Sequence, residues 1–584
     1  MNLTRDRLDL DVLFVGGGPA NLAGALHLKH LVDEHNRAVQ SRARTGPILE
    51  PSIGIIEKGR DCGAHALSGA IIDDRALREL LPRYWEPGLG ERDFPGWVAV
   101  RRADLYYLTE KRHYRIPSRL LPRALRHDGC YMGSLQRLNL WLAELVEEAG
   151  AYLFPSTCGV ELLIEGERVA GVRTGDRGLD AHGRPQANYE PGERIHAKIT
   201  VLGEGPRGTL SEDLIHHFRL HEGRPPQSYG IGVKELIRVR HRNESGLAVH
   251  TVGYPLQRDV FGGGFCYELS DSLYAVGLVC ALDWEDPRMD PHAQLQRLKS
   301  HPLFRRMLHG GEVIAYGAKT IPEGGYFAIP RLYADGALLV GDAAGLVNVP
   351  YLKGIHYGMK SGMLAAATIF EMLLSEALQP GFLAERDASS RLLASYETRV
   401  LESYIGRDLY RVRNFRRAFG HGRIPGILLG GLGVQTGIGP KRPGRISKDF
   451  ECLQPVRERP TGHCAAESDP PDTPLVVDKP ASVHLSDTRH RENQPSHIRI
   501  LDPARCFSEC VPRYGDAACT HFCPAGVYEI AGVGPDRRIK VNFTNCVHCK
   551  TCVIKDPIDV DPSDGIQNID WRAPAEGGPR YRGL

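Results

Sequence analysis

Four cysteines near the C-terminus carry the first chemical signal: Cys523, followed by Pro524, and Cys546, Cys549 and Cys552, spaced C-x2-C-x2-C in NCVHCKTCVIKDP. Three thiolates at this spacing wrap one cubic iron–sulfur cluster, and in the ferredoxin run C-x2-C-x2-C-x3-C-P the last Cys serves the other cluster. Here Asp556 precedes Pro557 at that last position, so the run supplies three ligands and Cys523 is the source of the fourth. The set reads as one 4Fe-4S site. Structural zinc is the competing reading, although zinc sites usually pair two separated C-x2-C knuckles. Upstream, Cys506, Cys510 and Cys519 resemble a degenerate first half of a two-cluster ferredoxin. They are either ligands of a second cluster that lacks one Cys or thiols with no metal.

The second signal is a pair of glycine-rich turns. Asp11–Val15 reads as a buried strand that runs into Gly16-Gly17-Gly18-Pro19-Ala20-Asn21, with a helix expected from Leu22 to about Val32. Glycines here let the backbone approach a pyrophosphate held at the helix N-terminus. Asn21 replaces the third glycine of the dinucleotide fingerprint, which predicts a looser helix–strand contact. A second strand, Ile53–Ile56, ends in Glu57, the acidic residue expected on an adenosine ribose; the polar segment 33–51 delays it. His65 follows closely enough to reach the same ligand, or is a satisfied core histidine. Far downstream, the strand Ala337–Val340 opens into Gly341-Asp342-Ala343-Ala344-Gly345 and a helix through Met359–Phe370, a device suited to ribityl and phosphate oxygens. A third fragment, Val201–Gly205, closes the same sheet. Two such turns on one sheet point to FAD rather than to NAD alone.

Positioning these groups takes a long chain. At 584 residues the protein implies two or three domains. Its 73 basic and 71 acidic residues argue against a nucleic-acid binder. Seven of the 14 Cys fall between Cys506 and Cys552, the clustering of a metal site rather than of a disulfide framework. MNLTRDRLDL is no signal peptide, and no run reaches the roughly 18 apolar residues that span a bilayer. Tyr229–Val239, His250–Pro255, Phe265–Leu269 and Leu273–Leu282 read as antiparallel strands of a cap, with the glycines 262–264 marking a bulge, a close backbone approach or a hairpin turn. The segment 415–440 sets Ile427, Leu428, Leu429, Leu432 and Val434 among glycines and arginines, which suggests a segment lying in a lipid headgroup region, the alternative being a buried loop. The segment 451–493, rich in Pro and charge, reads as a linker. The resulting division is an α/β FAD-binding domain at 1–220 and 320–400, a cap at 221–319, a surface segment at 401–450, a linker at 451–495 and a 4Fe-4S domain at 496–584.

A flavin turn, one cluster and a surface patch resemble the electron-transfer flavoprotein:ubiquinone oxidoreductase family. GAHALSGAIID after the second strand, YGIGVKEL, HTVGYPL, IAYGAKTIPEGG, GDAAGLVNVPYLKGIHYGMKSGMLAA, FCPAGVYEI and NCVHCKTCVIKDP carry the resemblance nearly end to end. It implies a glutathione-reductase-type FAD domain, an antiparallel quinone-binding cap and a ferredoxin-like 4Fe-4S domain. It also implies electron relay from reduced electron-transfer flavoprotein to ubiquinone, with no catalytic triad. Gly16, Gly18, Glu57 and Asp342 match FAD-binding motifs, Asn348 falls where a side chain nears the isoalloxazine, and Gly262 and Gly263 match a stretch lining the quinone site. Tyr528 and Thr551 fall where hydroxyls tune the cluster. The implied location is peripheral and monotopic: the cytoplasmic face of a bacterial inner membrane, or the mitochondrial inner membrane in a eukaryote. A geranylgeranyl-reductase-like isoprenoid reductase, a quinone reductase fed by ferredoxin and a non-enzymatic iron–sulfur adaptor are the rival readings.

Overall fold

The computed structural model describes residues 5–69, 71–86, 94, 96–117, 125–240, 246–270, 272–444, 446–456, 475–561 and 566–584. Its largest sheet has eight strands, built on Arg7–Val15, whose apolar end LFV admits burial on both faces. This strand pairs in parallel with Arg194–Leu202 on one side and Ile53–Ile56 on the other. Ala337–Leu339 extends the sheet beyond the former and Tyr152–Phe154 beyond the latter, all in parallel. The hairpin Gly159–Glu165/Arg168–Thr174 adds an antiparallel edge. Both glycine turns and Gly203 therefore emerge at the C-terminal ends of adjacent parallel strands, where open α/β sheets bind ligands.

Two long helices cover this sheet. Pro19–Gln40 runs eight residues past its expected end, so the late arrival of Glu57 comes from a longer helix and then a loop. Ile355–Leu378 packs against it, and a Cβ on Gly362 would lie 1.9 Å from the Ala20 carbonyl oxygen. Only glycine permits that approach. Among the described residues Ile355–Leu378 is the one helix long and apolar enough to cross a membrane, which counting uninterrupted apolar runs had not revealed. Half of its apolar window is buried, as befits a core helix.

The second sheet has seven strands in the order Glu312–Pro322, Tyr229–Arg238, Leu273–Ala281, Gly262–Ser270, Leu247–Gly253, Arg102–Leu108 and His113–Ile116. The last two strands come from within residues 1–220, so this sheet is larger than the 221–319 division allows, because Leu247–Gly253 offers Arg102–Leu108 a free edge and pairs with it in parallel. Gly262 and Gly263 form no hairpin turn; they lie inside a strand, where added Cβ atoms would meet the carbonyl oxygens of Val279 and Thr251.

The C-terminal region folds as short ribbons around the cysteine loop and seats it on both sheets. Thr320 N donates to the Cys549 carbonyl at 3.2 Å, and Tyr316 Oη to that of Pro524 at 2.9 Å. Lys550 Nζ donates to the carbonyls of Pro206 and Arg207 at 3.0 and 2.8 Å. Where it is described, the expected linker is packed rather than loose: Gln454 N bonds to Glu285 O, Val477 N to Gln296 Oε1 and His292 Nε2 to Ser482 Oγ. Its residues 457–474 lie outside the described residues.

Candidate functional site

One cavity runs along the ends of the parallel strands. It is lined by Gly16, Gly18, Glu57, His65, Gly341 and Asp342, which sequence had placed nearly 330 residues apart. Gly16 takes φ +101°, and a Cβ there would lie 2.8 Å from the Gly203 carbonyl oxygen, so two turns interlock at this point. Gly18 caps the following helix without a side-chain hydrogen bond, and Pro19 occupies its first turn. The free N–H groups and the helix dipole there favour an anion.

Asn21 does not loosen this contact. Its Nδ2 donates to the carbonyls of Val15 and Gly16, both at 2.8 Å, and ties the helix to the strand that a third glycine would only have allowed to approach. Glu57 accepts from Gly17 N through Oε2 and from Gly59 N through Oε1, each at 2.7 Å. Burial alone would raise the Glu57 pKa; the His65 ring and the two amides outweigh it and bring it down to about 2. Burial lowers His65 to about 3, so the ring is neutral and the carboxylate rests chiefly on the amides. His65 Nδ1 lies 3.6 Å from Glu57 Oε1, beyond hydrogen-bond reach.

At the other turn, Gly341 N donates to Ser361 Oγ at 3.0 Å, and burial raises the Asp342 pKa to about 6 against the opposing charge of Lys319. The turn continues as a 3-10 segment, Gly341–Ala344, and the long helix begins only at Ile355. Between them, the buried Asn348 donates through Nδ2 to Tyr357 Oη at 3.2 Å and accepts through Oδ1 from Tyr351 N at 3.3 Å. Its side chain shapes the loop whose Val347 and Val349 line the cavity. Gly262 and Gly263 do not line the cavity either, because their strand faces are filled by neighbouring backbone; Phe265, Tyr267, Val279 and Gly232 of the same sheet do.

Sequence reasoning missed the buried lysines. Lys58, Lys234, Lys319 and Lys550 all line the cavity, and burial lowers their pKa values, to about 7 for Lys234 and about 8 for Lys319. Nothing in their sequence spacing links them; the fold collects them. It also collects Glu323, which burial raises to about 7 although Arg416 pulls the other way. A turn with free amides, a carboxylate at each end and several cations between them fit a dinucleotide bearing a pyrophosphate.

Cys523, Cys546, Cys549 and Cys552 ring a second, small cavity, all four buried and none in a disulfide. His548 and Lys550, between the cysteines, adopt φ +55° and +68°, which lets the loop curl around one point. Val527 N donates to Cys523 Sγ at 3.5 Å and His548 N to Cys546 Sγ at 3.4 Å. Tyr528 and Thr551 line the same cavity, and their buried hydroxyls have no hydrogen-bond partner by geometry within the protein. Burial raises the Cys523 and Cys546 thiols to about 11 and 12, so a bound cation must displace their protons. Four inward thiols and two orphaned hydroxyls fit an iron–sulfur cluster.

Cys506, Cys510 and Cys519 are not among the residues that line this cavity. Cys506 Sγ accepts from Asn568 Nδ2 at 3.7 Å, Cys510 is core, and Asp556 is held by Ile569 N at 2.7 Å and Ile558 N at 3.3 Å. The two cofactor cavities, by contrast, adjoin: Lys550 and Trp571 line both.

The surface segment forms a helix, Arg423–Thr436, closed by Gly437 in the left-handed region. Arg413 donates to the carbonyls of Gly437 and Gly439 at 3.1 and 3.0 Å, placing positive charge at the helix C-terminus. Leu428, Leu429, Leu432 and Ile438 are 68, 52, 59 and 77% exposed, whereas Val434 is buried. This is an apolar surface, and the buried-loop alternative falls.

A dinucleotide cavity built on a parallel sheet, abutting a four-cysteine cavity, defines a flavin- and iron–sulfur-dependent oxidoreductase. Residues 229–321 match the family model described as ETF-QO, ubiquinone-binding, and residues 473–582 that described as electron transfer flavoprotein-ubiquinone oxidoreductase, 4Fe-4S. Among curated proteins the chain is 37% identical to the mitochondrial electron transfer flavoprotein-ubiquinone oxidoreductase of Homo sapiens, covering 100% of this chain and 90% of that one. It is 36% identical to the mitochondrial protein of the same name from Dictyostelium discoideum, over 99% of this chain and 91% of that one. It is 34% identical to the probable electron transfer flavoprotein-ubiquinone oxidoreductase of Acinetobacter baylyi, over 100% and 99%. The chain belongs to the electron transfer flavoprotein-ubiquinone oxidoreductase family. Its relatives include mitochondrial and bacterial proteins. Among solved structures, a geranylgeranyl bacteriochlorophyll reductase-like protein from Thermoplasma acidophilum is 17% identical with a TM-score of 0.45, covering 70% of this chain and 92% of that one, a likeness that carries no functional weight.

Proposed function

We propose that the chain performs its family's reaction, oxidising electron transfer flavoprotein and reducing ubiquinone, through the two adjoining cavities. Cys523, Cys546, Cys549 and Cys552 hold the 4Fe-4S cluster. The Gly16–Gly18 turn, Glu57, Gly341 and Asp342 hold FAD. The observation that carries this reading is the shared wall: Lys550 and Trp571 line both cavities, so groups held in them would be neighbours. When bound, the cluster supplies one-electron and the flavin both one- and two-electron exchange.

The chain's own residues do the rest. Glu57 accepts from ribose hydroxyls, the Pro19 helix N-terminus meets the pyrophosphate, and Lys58, Lys234 and Lys319 offset negative charge in a site that excludes water. Tyr528 and Thr551 donate to sulfur. Ubiquinone needs protons as well as electrons, and Glu323 lines the flavin cavity with a pKa of about 7, so its carboxyl can hold a proton there and release it, with Arg416 3.5 Å away favouring the carboxylate left behind.

The acceptor's route runs beside Phe261, whose ring contacts Phe419 at 4.6 Å and Phe415 at 6.1 Å and carries the Arg416 guanidinium 4.4 Å above it. Gly262 and Gly263 belong to this reading as the tight strand that presents Phe261, rather than as cavity lining. The Arg423–Thr436 helix rests in one leaflet, its leucines among acyl chains. This reading includes monotopic attachment, to the cytoplasmic face of a bacterial inner membrane or to the mitochondrial inner membrane, and the exposed leucines support a membrane-surface contact.

Anaerobic titration of the purified protein with reduced electron transfer flavoprotein, then a soluble ubiquinone analogue, tests the relay. Reduction of both centres and their full reoxidation by quinone is expected, with four irons per chain. If the flavoprotein leaves both centres oxidised while a reduced ferredoxin reduces them, the donor is wrong and the cofactor sites stand.

A further inference from the structure

Three imidazoles outside both cavities share one point. His490 and His497 come from the segment after the Lys479–Leu485 helix, and His548 lies between Cys546 and Cys549. One ring nitrogen of each lies within 4.8 Å of the other two. The ring centroids are 4.7 Å apart for His490 and His497, 5.1 Å for His490 and His548, and 5.3 Å for His497 and His548. His497 and His548 are buried, and Trp571 and Phe543 pack edge-on against the group.

The polar partners are distributed unevenly. His490 Nε2 lies 3.2 Å from the Cys546 carbonyl oxygen, so that nitrogen bears the proton and Nδ1 keeps its lone pair. His548 Nδ1 lies 2.9 Å from Lys58 Nζ; with an ion on Nε2 the ring proton sits on Nδ1 and is donated to Lys58 as a neutral amine, so binding releases one proton to solvent. His490 Nδ1, both nitrogens of His497 and His548 Nε2 have no hydrogen-bond partner in the protein. Leaving that many polar atoms buried and unpaired is costly. Hydrophobic packing of three histidines would give no reason to converge their nitrogens. A histidine whose far nitrogen donates to a backbone carbonyl is, moreover, the common outer-shell arrangement of a metal ligand.

We propose that His490, His497 and His548 form a site for a divalent first-row transition ion, zinc above all, held by three imidazoles with water in the fourth position. Zinc accepts tetrahedral nitrogen coordination without a carboxylate or thiolate, and among the described residues no Asp, Glu or Cys joins this group. The ion ties the 490–497 segment to the loop that carries Cys546 and Cys549 and fixes the Cys546 carbonyl through His490. Its location rests on the reading of these cysteines as cluster ligands; its chemistry does not.

The test uses the full-length, tag-free holoprotein, dialysed after incubation with micromolar zinc, with iron and zinc counted per chain by mass spectrometry. One zinc beside four irons is expected, and X-ray absorption at the zinc edge should show a nitrogen/oxygen shell with imidazole outer scattering. His497→Asn and, separately, His490→Asn should each retain roughly tenfold less zinc or lower still, with iron and flavin unchanged. Unchanged iron and flavin show that the variants have folded. Wild type that retains no zinc, and no copper or nickel when these are offered, overturns the proposal and leaves water as the occupant. Equal zinc in wild type and both variants overturns it as well, by assigning the ion to the surface. Zinc in a sulfur shell with iron missing sinks the cluster reading and this site together, whereas absent zinc beside four irons sinks this site alone.

Discussion

Glu323 joins two requirements at one residue, a wall of the flavin cavity and contact with Arg416 of the surface segment. Replacing it by Gln keeps the shape and removes the proton. Ubiquinone reduction should fall by about 100-fold or more in Glu323→Gln, the scale of a lost proton donor, while reduction by electron transfer flavoprotein is unchanged; equal loss in both half-reactions would refute the assignment. In wild type the quinone rate should decline as pH rises through about 7, and the variant should be flat. The sign of the linked stability follows from the same burial. A carboxyl raised in the fold binds its proton more tightly there than when unfolded, so its contribution is greatest below the ordinary Glu pKa and falls until pH reaches about 7. At the cluster, Tyr528→Phe removes a buried hydroxyl donor without removing a ligand. Iron content should hold while the cluster potential drops, by about 1–2 kcal/mol in free-energy terms for one hydrogen bond to a charged group. Redox-monitored EPR of the reduced cluster measures this, and an unchanged potential would exclude the bond.

At the scale of elements, the Arg423–Thr436 helix is held at its C-terminus by Arg411 and Arg413 and leaves its leucines outward. A double substitution, Leu428→Asp with Leu432→Asp, should weaken flotation with anionic vesicles by at least about 30-fold. Each buried leucine contributes roughly 1.5–3 kcal/mol on leaving water. Turnover with a water-soluble quinone analogue should be spared. Loss of both would mean the helix is needed for the fold. The composition of 415–440 showed an apolar segment among arginines, but its helical state and exposed face depended on arginines from the preceding helix reaching its last carbonyls. In the Pro19–Gln40 helix the reverse holds: glycine turn and strand were legible locally, while the role of Asn21 needed the carbonyl ends of the strand beside it.

At the scale of the molecule, Tyr581 joins three units. From the last residues of the chain, its buried Oη donates to Ala318 O of the seven-stranded sheet at 3.0 Å and to Val547 O of the cysteine loop at 2.5 Å, while Tyr581 N bonds to Ala64 O beside the flavin cavity. Tyr581→Ala should cost about 3–5 kcal/mol, read as a lower midpoint of thermal unfolding, and should slow electron transfer between the two centres in rapid-mixing experiments. Tyr581→Phe should recover most of the stability, since it restores the ring and omits only the hydrogen bonds. Equal loss in both variants would put the effect on the hydroxyl alone.

The sequence by itself determined what depends on near neighbours: the cysteine spacing, the two glycine turns with Glu57 and Asp342, the alternating strands of the cap, and the family. Those features are local because a cluster loop or a phosphate turn is closed by a few consecutive residues. Tertiary structure alone decided what depends on contacts across hundreds of residues. It turned Asn348 inward to Tyr357, filled the space over Gly262 and Gly263 with backbone, and drew Arg102–Leu108 into the second sheet. It also gathered Lys58, Lys234, Lys319, Lys353, Lys550 and Glu323 at one cavity, set Lys550 and Trp571 between two, and brought His490 and His497 to His548. Burial and convergence are properties of the packed chain, and no spacing along the sequence encodes them.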